Sequence, residues 1–236
     1  MIVIPMVGRS SRFFQAGYTR PKYELEVDGK SVFEHAVASF SAYFESDFFL
    51  FLVRSDYEAE QFVRSKLASL GVRRFQVVVF DHETLGQADT VYQGLQQVPG
   101  ADEELYIFNI DTFRPGFTKP AQPGDGYLEV FSGEGEHWSF VLPGPDGRAL
   151  RTTEKERISD LCSDGLYYFR SRTLFQQVFE RARREGATVR SEYYIAPLYN
   201  YLIGEGRDIR YVQVERSAVV FCGTPDEYRQ LTGKAH

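Results

Sequence analysis

The stretch that most constrains this chain runs from Met1 to about Phe40. A short apolar segment, Ile2-Val3-Ile4, opens at once into Pro5-Met6-Val7-Gly8-Arg9-Ser10-Ser11-Arg12-Phe13, and Tyr18-Thr19-Arg20-Pro21-Lys22 follows. A buried strand that turns directly into a loop of small residues is how α/β proteins present backbone N–H groups to phosphate. Arg9, Arg12, Arg20 and Lys22 gather here in a chain whose net charge is -6, so a polyanion held by the loop meets local charge opposite to the global one. Spacing excludes two common phosphate loops. Gly29-Lys30-Ser31 ends like a P-loop, but Glu24 stands where its first glycine must be. A dinucleotide fingerprint needs three glycines in tight register after the strand, and here only Gly8 is present.

The pattern beyond the loop sets the fold class. Ser31 to Phe40 has apolar residues at helical spacing, with Ser31 as N-cap and Glu34 three residues on. Phe48 to Val53 is a continuous apolar run, the mark of a strand covered on both faces. Tyr57 to Leu70 reads as an amphipathic helix stopped by Gly71, and Phe75 to Phe80 as a second buried strand. A helix is expected from the Thr84–Val91 stretch through Leu95, with Asp89 or Thr90 as its cap. Leu105 to Asp111 is an apolar strand ending in a carboxylate. Such alternation predicts an α/β fold: a three-layer, Rossmann-like, mixed and mostly parallel sheet with helices on both faces. Phe113 to Gly126 reads as a loop. Tyr127–Phe131 and Trp138–Leu142 then alternate like antiparallel strands, with a Pro143–Gly147 turn into a third. A helix is expected over Thr173–Glu185, and Glu192-Tyr193-Tyr194 leads into a further one through Ile203.

Together these stretches resemble one family. Val3-Ile4-Pro5-Met6-Val7-Gly8-Arg9-Ser10-Ser11-Arg12-Phe13, then Gly17-Tyr18, Pro21-Lys22, Val27-Asp28-Gly29-Lys30 and Glu34-His35, looks like the signature of nucleotidyltransferases of the sugar-1-phosphate nucleotidylyltransferase (NDP-sugar pyrophosphorylase) type. The resemblance implies a single nucleotidyltransferase domain over 1–236, nucleotide-binding over about 1–112 and acceptor-binding over about 113–236. It implies that Met6, Val7, Gly8, Arg9, Ser10, Ser11, Arg12 and Lys22 hold the nucleotide and its triphosphate, with Ser10 standing where glycine is usual. Gly86 and Gln87 match the family's base-contacting turn. Asp111 would hold Mg²⁺, and with Arg12 and Lys22 would form the catalytic set. Thr153-Glu154-Lys155-Glu156 and Ser163 to Phe169 resemble the acceptor block: Lys155 would hold the acceptor phosphate, and Glu154, the Gly165 backbone and Ser139 its polar groups. Val219 to Tyr228 resembles the closing Gly-Thr-Pro helix start, with Phe221 where many relatives carry a second metal-binding Asp. No acyltransferase-like domain is expected after it.

The implied reaction is transfer of NMP from an NTP, with a lean to a pyrimidine from Gly86-Gln87-Ala88, to a sugar-1-phosphate or similar phosphomonoester. Glycosyl transfer from an NDP-sugar and a catalytically inactive nucleotide-binding protein are the rival readings, the latter because of Ser10, Ile110 and Phe221. The 43% hydrophobic content suits a folded domain, and the acidic balance argues against a nucleic-acid partner. The apolar runs are too short to span a bilayer, and no basic-then-apolar leader stands at the start, so a cytoplasmic protein without membrane partners is expected. Cys162 and Cys222 lack partners at metal spacing and are expected to be buried or free thiols. The sequence is silent on oligomeric state.

Overall fold

The structure is a computed structural model that describes residues 1–233. Strand β1 (Ile2–Met6) leads into a short helix α1 (Ser11–Gln15), and a two-residue hairpin, β2 (Glu26–Val27) and β3 (Lys30–Ser31), precedes helix α2 (Val32–Ala38). Ser31 caps α2 as its spacing predicts. Its hydroxyl accepts from the Glu34 backbone N–H at 3.2 Å while the Glu34 carboxylate accepts from the Ser31 backbone N–H at 2.8 Å. Val32, Phe33, Ala36 and Val37 form the buried face of α2. Next come β4 (Phe49–Arg54), α3 (Ala59–Leu70), β5 (Phe75–Phe80), α4 (Gln87–Gln96), β6 (Leu105–Phe108) and β7 (Thr112–Phe113). Gly71 ends α3 in the left-handed conformation, φ 80°. The remaining elements are β8 (Gly126–Ser132), β9 (Ser139–Pro143), β10 (Ala149–Glu154), β11 (Leu161–Phe169), α5 (Arg172–Glu185), α6 (Tyr199–Gly204), β12 (Ile209–Gln213), β13 (Val220–Phe221) and α7 (Pro225–Thr232).

The chain divides into two compact units, each assembled from separate segments. The first comprises Met1–Val3, Glu83–Phe108 and Lys119–Arg216. In it β6 runs parallel to the start of β1, through Ile2↔Tyr106 and Val3↔Ile107, and antiparallel to β11. Strand β11 is buried along its whole length and also pairs antiparallel with β8 and β9, while β10 continues from β9. The expected Pro143–Gly147 turn joins β9 to β10 as an antiparallel pair, while β8 and β9 are each joined to the later strand β11. Strand β12 pairs parallel with β8, from Ile209↔Gly126 to Gln213↔Val130. The core here is aromatic: Tyr127 stacks on Tyr168 at 5.2 Å and Phe169 on Tyr199 at 4.5 Å. The Tyr199 hydroxyl, fully enclosed, donates to the Tyr168 carbonyl at 2.7 Å, which meets the need of a buried polar group for a partner.

The second unit comprises Ile4–His82, Asn109–Thr118 and the described residues from Ser217 on. Its parallel strands β4 and β5 pair in unbroken register from Phe49↔Phe75 to Arg54↔Phe80. Phe49 to Val53 is wholly buried, as an uninterrupted apolar run requires. The loop expected over Phe113 to Gly126 departs from the prediction at its start: Phe113 joins Thr112 in β7, which pairs antiparallel with β13. His35 stacks on Phe113 at 4.8 Å, and its ring meets the Val27 carbonyl at 2.8 Å. The α/β class with a mixed, mostly parallel sheet is what the chain forms.

Candidate active site

In the second unit β1 delivers the loop. Met6 and Val7 are buried at the strand end, Gly8, Arg9, Ser11 and Arg12 are exposed, and Ser10 is half-buried. Phe13 anchors the far side of the loop in edge contacts with Tyr18 at 5.5 Å and Tyr228 at 6.3 Å. Ser10 is left-handed, φ 52° and ψ 27°, a conformation that glycine enters freely and that costs another residue about 1 kcal/mol. Its hydroxyl accepts from the Lys22 backbone N–H at 3.1 Å. The serine therefore gives up glycine's freedom and gains a tie to the Lys22 backbone.

Lys22 follows Pro21, whose φ of -58° and ψ of 148° aim the chain into a short 3₁₀ turn. Its ammonium donates to Asp111 Oδ2 at 2.5 Å, with both side chains about four-fifths covered. Partial desolvation makes such a charge-assisted contact stronger than a surface pair. The Asp111 carbonyl accepts from the Cys222 N–H at 2.8 Å, continuing the β7–β13 pairing of Phe221 with Thr112. This lays the closing segment against Asp111. A Cβ on Gly223 would come within 2.8 Å of Asp111 Oδ2, so any larger residue there would make that carboxylate shift. Phe221 is buried on β13. The carboxylate that does come near is Glu227, but its Oε2 accepts from the Gly223 and Thr224 N–H groups at 2.9 Å and caps α7. Burial, and next the Asp111 charge, push the Cys222 thiol up to about 12. It therefore stays neutral beside that carboxylate.

In the first unit Gly86 is the N-cap of α4, at φ 104° and ψ 179°. A Cβ there would lie 2.7 Å from the Tyr193 carbonyl oxygen and 2.8 Å from its nitrogen, so glycine is demanded by protein backbone. The Tyr193 N–H donates to the Leu85 carbonyl at 2.7 Å, and the Ala88 N–H to the Tyr193 carbonyl at 3.0 Å, clamping the turn. The expected Asp89 or Thr90 cap is corrected: Asp89 is the third residue of the helix and reaches back to accept from the Leu85 N–H at 2.8 Å. Gln87 opens the helix, half-buried.

Also in this unit, antiparallel register places Ser139 of β9 opposite Glu154 of β10. The Ser139 hydroxyl donates to Glu154 Oε2 and meets the Tyr167 hydroxyl at 3.2 Å. Burial is the largest influence on the Glu154 carboxyl and raises it above its ordinary range, against the Ser139 hydrogen bond and the Lys155 charge. Lys155 leaves the strand in a left-handed conformation, φ 54°. Its ammonium stands 3.8 Å from Glu154 Oε1 and donates to the Tyr194 hydroxyl, which in turn donates to Glu192 Oε2. Gly165, φ 93°, sits where the pairing of β11 with β8 slips between Ser163 and Tyr167. Its N–H is turned to the Ser163 hydroxyl at 3.1 Å. Sequence reasoning missed Tyr167, Glu192 and Tyr194. The available signal was Glu192-Tyr193-Tyr194 itself, since residues two apart in non-helical chain share a face.

No protein-family model and no curated protein sequence matches this chain. Among solved structures, the nucleoside-diphosphate-sugar pyrophosphorylase from Vibrio cholerae RC9 is 48% identical, with a TM-score of 0.94 over 99% of this chain and 100% of that one. The chain belongs to the NDP-sugar pyrophosphorylase family. It is accordingly a nucleotidyltransferase. More distant structures share its fold. A putative glucose-1-phosphate thymidylyltransferase from Bacillus anthracis is 18% identical with a TM-score of 0.76, over 99% of this chain and 94% of that one. The inositol-1-phosphate CTP transferase from T. maritima is 15% identical with a TM-score of 0.74, over the same two shares. For this member of the pyrophosphorylase family, the expected loop, lysine and carboxylate come together in one unit and the expected acceptor residues in the other.

Proposed function

We propose that this nucleotidyltransferase transfers an NMP, from a pyrimidine NTP, to a sugar-1-phosphate or similar small phosphomonoester and releases pyrophosphate. The observation that carries the reading is the Lys22 ammonium on Asp111 at 2.5 Å, with the Lys22 backbone tied to Ser10 of the loop. An acceptor phosphate oxygen attacks the α-phosphorus in line, the bond to the β-phosphate oxygen breaks, and pyrophosphate leaves. A phosphomonoester is already mostly dianionic at neutral pH, so no general base is needed and the rate comes from positioning and charge neutralisation. Met6 to Ser11 wrap the nucleotide, Gly86 and Gln87 lie against the base, and Arg12 and Lys22 neutralise the leaving pyrophosphate. Lys155 holds the acceptor phosphate, while Ser139, Glu154 and the Gly165 backbone bind its polar groups.

Asp111 suits Mg²⁺. It offers a hard oxygen in a cradle kept open by Gly223, and among the described residues no three His, Cys, Asp or Glu side chains gather to form a cage. Mg²⁺ commonly takes one or two carboxylates and fills its shell with phosphate oxygens and water. Bound there, it would supply charge neutralisation on the phosphates. Lys22, with its ammonium on the same carboxylate, keeps that carboxylate oriented. Free, buried Cys162 and Cys222 support a reducing, cytoplasmic setting, and no described helix is long and apolar enough to cross a membrane. The Pro5-Met6-Val7-Gly8-Arg9 form of the loop resembles a branch of the family that serves surface-polymer pathways, and we propose that use for the product.

Two linked measurements test this reading. Thermal unfolding with each NTP and Mg²⁺ should single out one pyrimidine NTP; at about a hundred times its dissociation constant it stabilises the fold by roughly 2.7 kcal/mol. A pyrophosphate-release screen with that NTP should then find an acceptor among sugar-1-phosphates and smaller phosphomonoesters. Stabilisation by an NDP-sugar alone, with no pyrophosphate released from any pair, would overturn it.

A further inference from the structure

The acceptor lysine, on the function proposed above, is held by a residue that neither the loop motif nor the Glu-Lys pair includes. The Lys155 ammonium donates to the Tyr194 hydroxyl and lies 4.3 Å from the centroid of the Tyr194 ring. That hydroxyl spends its own proton on Glu192 Oε2, so its lone pairs are left to face the ammonium. The support beneath is rigid: Tyr193, between them, is buried and joined through both its N–H and its carbonyl to the turn around Gly86. Lys155 itself is confined by a left-handed backbone and by its N–H, which donates to the Trp138 carbonyl at 2.8 Å. A lysine side chain carries several rotatable bonds and loses much freedom when ordered.

We infer that Tyr194 is a positioning residue for the reaction: it fixes the Lys155 ammonium before the acceptor arrives, with Glu192 orienting the phenol. Pre-ordering of this kind removes an entropy loss from acceptor binding and leaves the nucleotide's own contacts untouched. Tyr194→Phe keeps the ring over the ammonium and removes only the hydroxyl.

The test uses the full-length chain, Tyr194→Phe and Lys155→Met. The first readout is the lysine side-chain ammonium signal in ¹H–¹⁵N NMR, which a fixed, hydrogen-bonded ammonium shows and a solvent-exchanging one loses. One such signal should be present in the parent, absent in Lys155→Met, and absent in Tyr194→Phe at unchanged melting temperature. Its persistence in Tyr194→Phe overturns the proposal. The second readout is pyrophosphate release with glucose 1-phosphate as the acceptor probe. Loss of one charge-assisted hydrogen bond should raise the acceptor KM roughly tenfold in Tyr194→Phe while leaving the NTP KM unchanged. An equal loss in both constants, or a fall in kcat alone, would overturn the positioning role. No turnover by the parent chain would count against the proposed acceptor, and the ammonium signal would still decide the role of Tyr194.

Discussion

At Ser10 two local terms oppose each other. The left-handed backbone disfavours any residue with a Cβ, and the hydroxyl's bond to the Lys22 N–H offsets that cost. Ser10→Ala keeps the strain and drops the bond, and should lower unfolding free energy by about 1 kcal/mol. Ser10→Gly drops the same bond but relieves the strain, so it should be more stable than Ser10→Ala by ~1 kcal/mol. Urea titration of the three proteins orders them, and an alanine variant at least as stable as the glycine one would refute the assignment. Glu154 gives a pH signature. Its carboxyl is raised by burial, so the folded chain binds that proton more tightly than the unfolded chain does. The resulting stabilisation is complete below the ordinary carboxylate range and is lost as pH rises through the raised value. Glu154→Gln, which can still accept from Ser139, should therefore gain on the parent as pH is raised from ~4 towards neutrality. Parallel stability curves for the two proteins would contradict this.

Among the elements, those written in local pattern were legible. The Ser31 and Glu34 pair marks the start of α2 because a capping box spans only four residues, and Gly71 marks the end of α3 for a similarly local reason. Ser31→Ala should lower stability by ~1 kcal/mol, reading out as a lower urea midpoint at unchanged slope. A loss under a few tenths would mean that the Lys66 contact to Glu34 at 2.9 Å holds the carboxylate without the serine. What the sequence hid is non-local. Strand β12 reads Ile-Arg-Tyr-Val-Gln and is a strand because β8, far earlier in the chain, offers it an edge. Strands β7 and β13 are two residues long, below any periodicity, yet their pairing is what brings Gly223 against Asp111. The loop, Lys22 and Asp111 could be found from sequence because they stand in compact motifs. Tyr194 shows in the sequence only through its two-residue spacing from Glu192, and its part depends on which side chain Lys155 meets.

At the scale of the whole molecule, the net charge of -6 would repel an NTP, and the exposed cations Arg9 and Arg12 of the loop set a local field of the opposite sign. Of the residues named in the proposal, Arg12, Lys22 and Asp111 lie in the second unit and Gly86, Glu154 and Lys155 in the first. The family is fixed by the 48% identity over the full chain, and what remains to be tested is the assignment of its chemistry to these residues. The most direct measurement follows the label from an NTP carrying ³²P at the α-position, with Mg²⁺ and the acceptor found by screening, in the parent and in Lys22→Ala. The account predicts that the α-label moves into the acceptor product as unlabelled pyrophosphate is released. It also predicts that Lys22→Ala slows this by at least ~10²-fold, as loss of a preorganised charge contact does. Label retained in a free nucleotide, or full-rate transfer by Lys22→Ala, would contradict it.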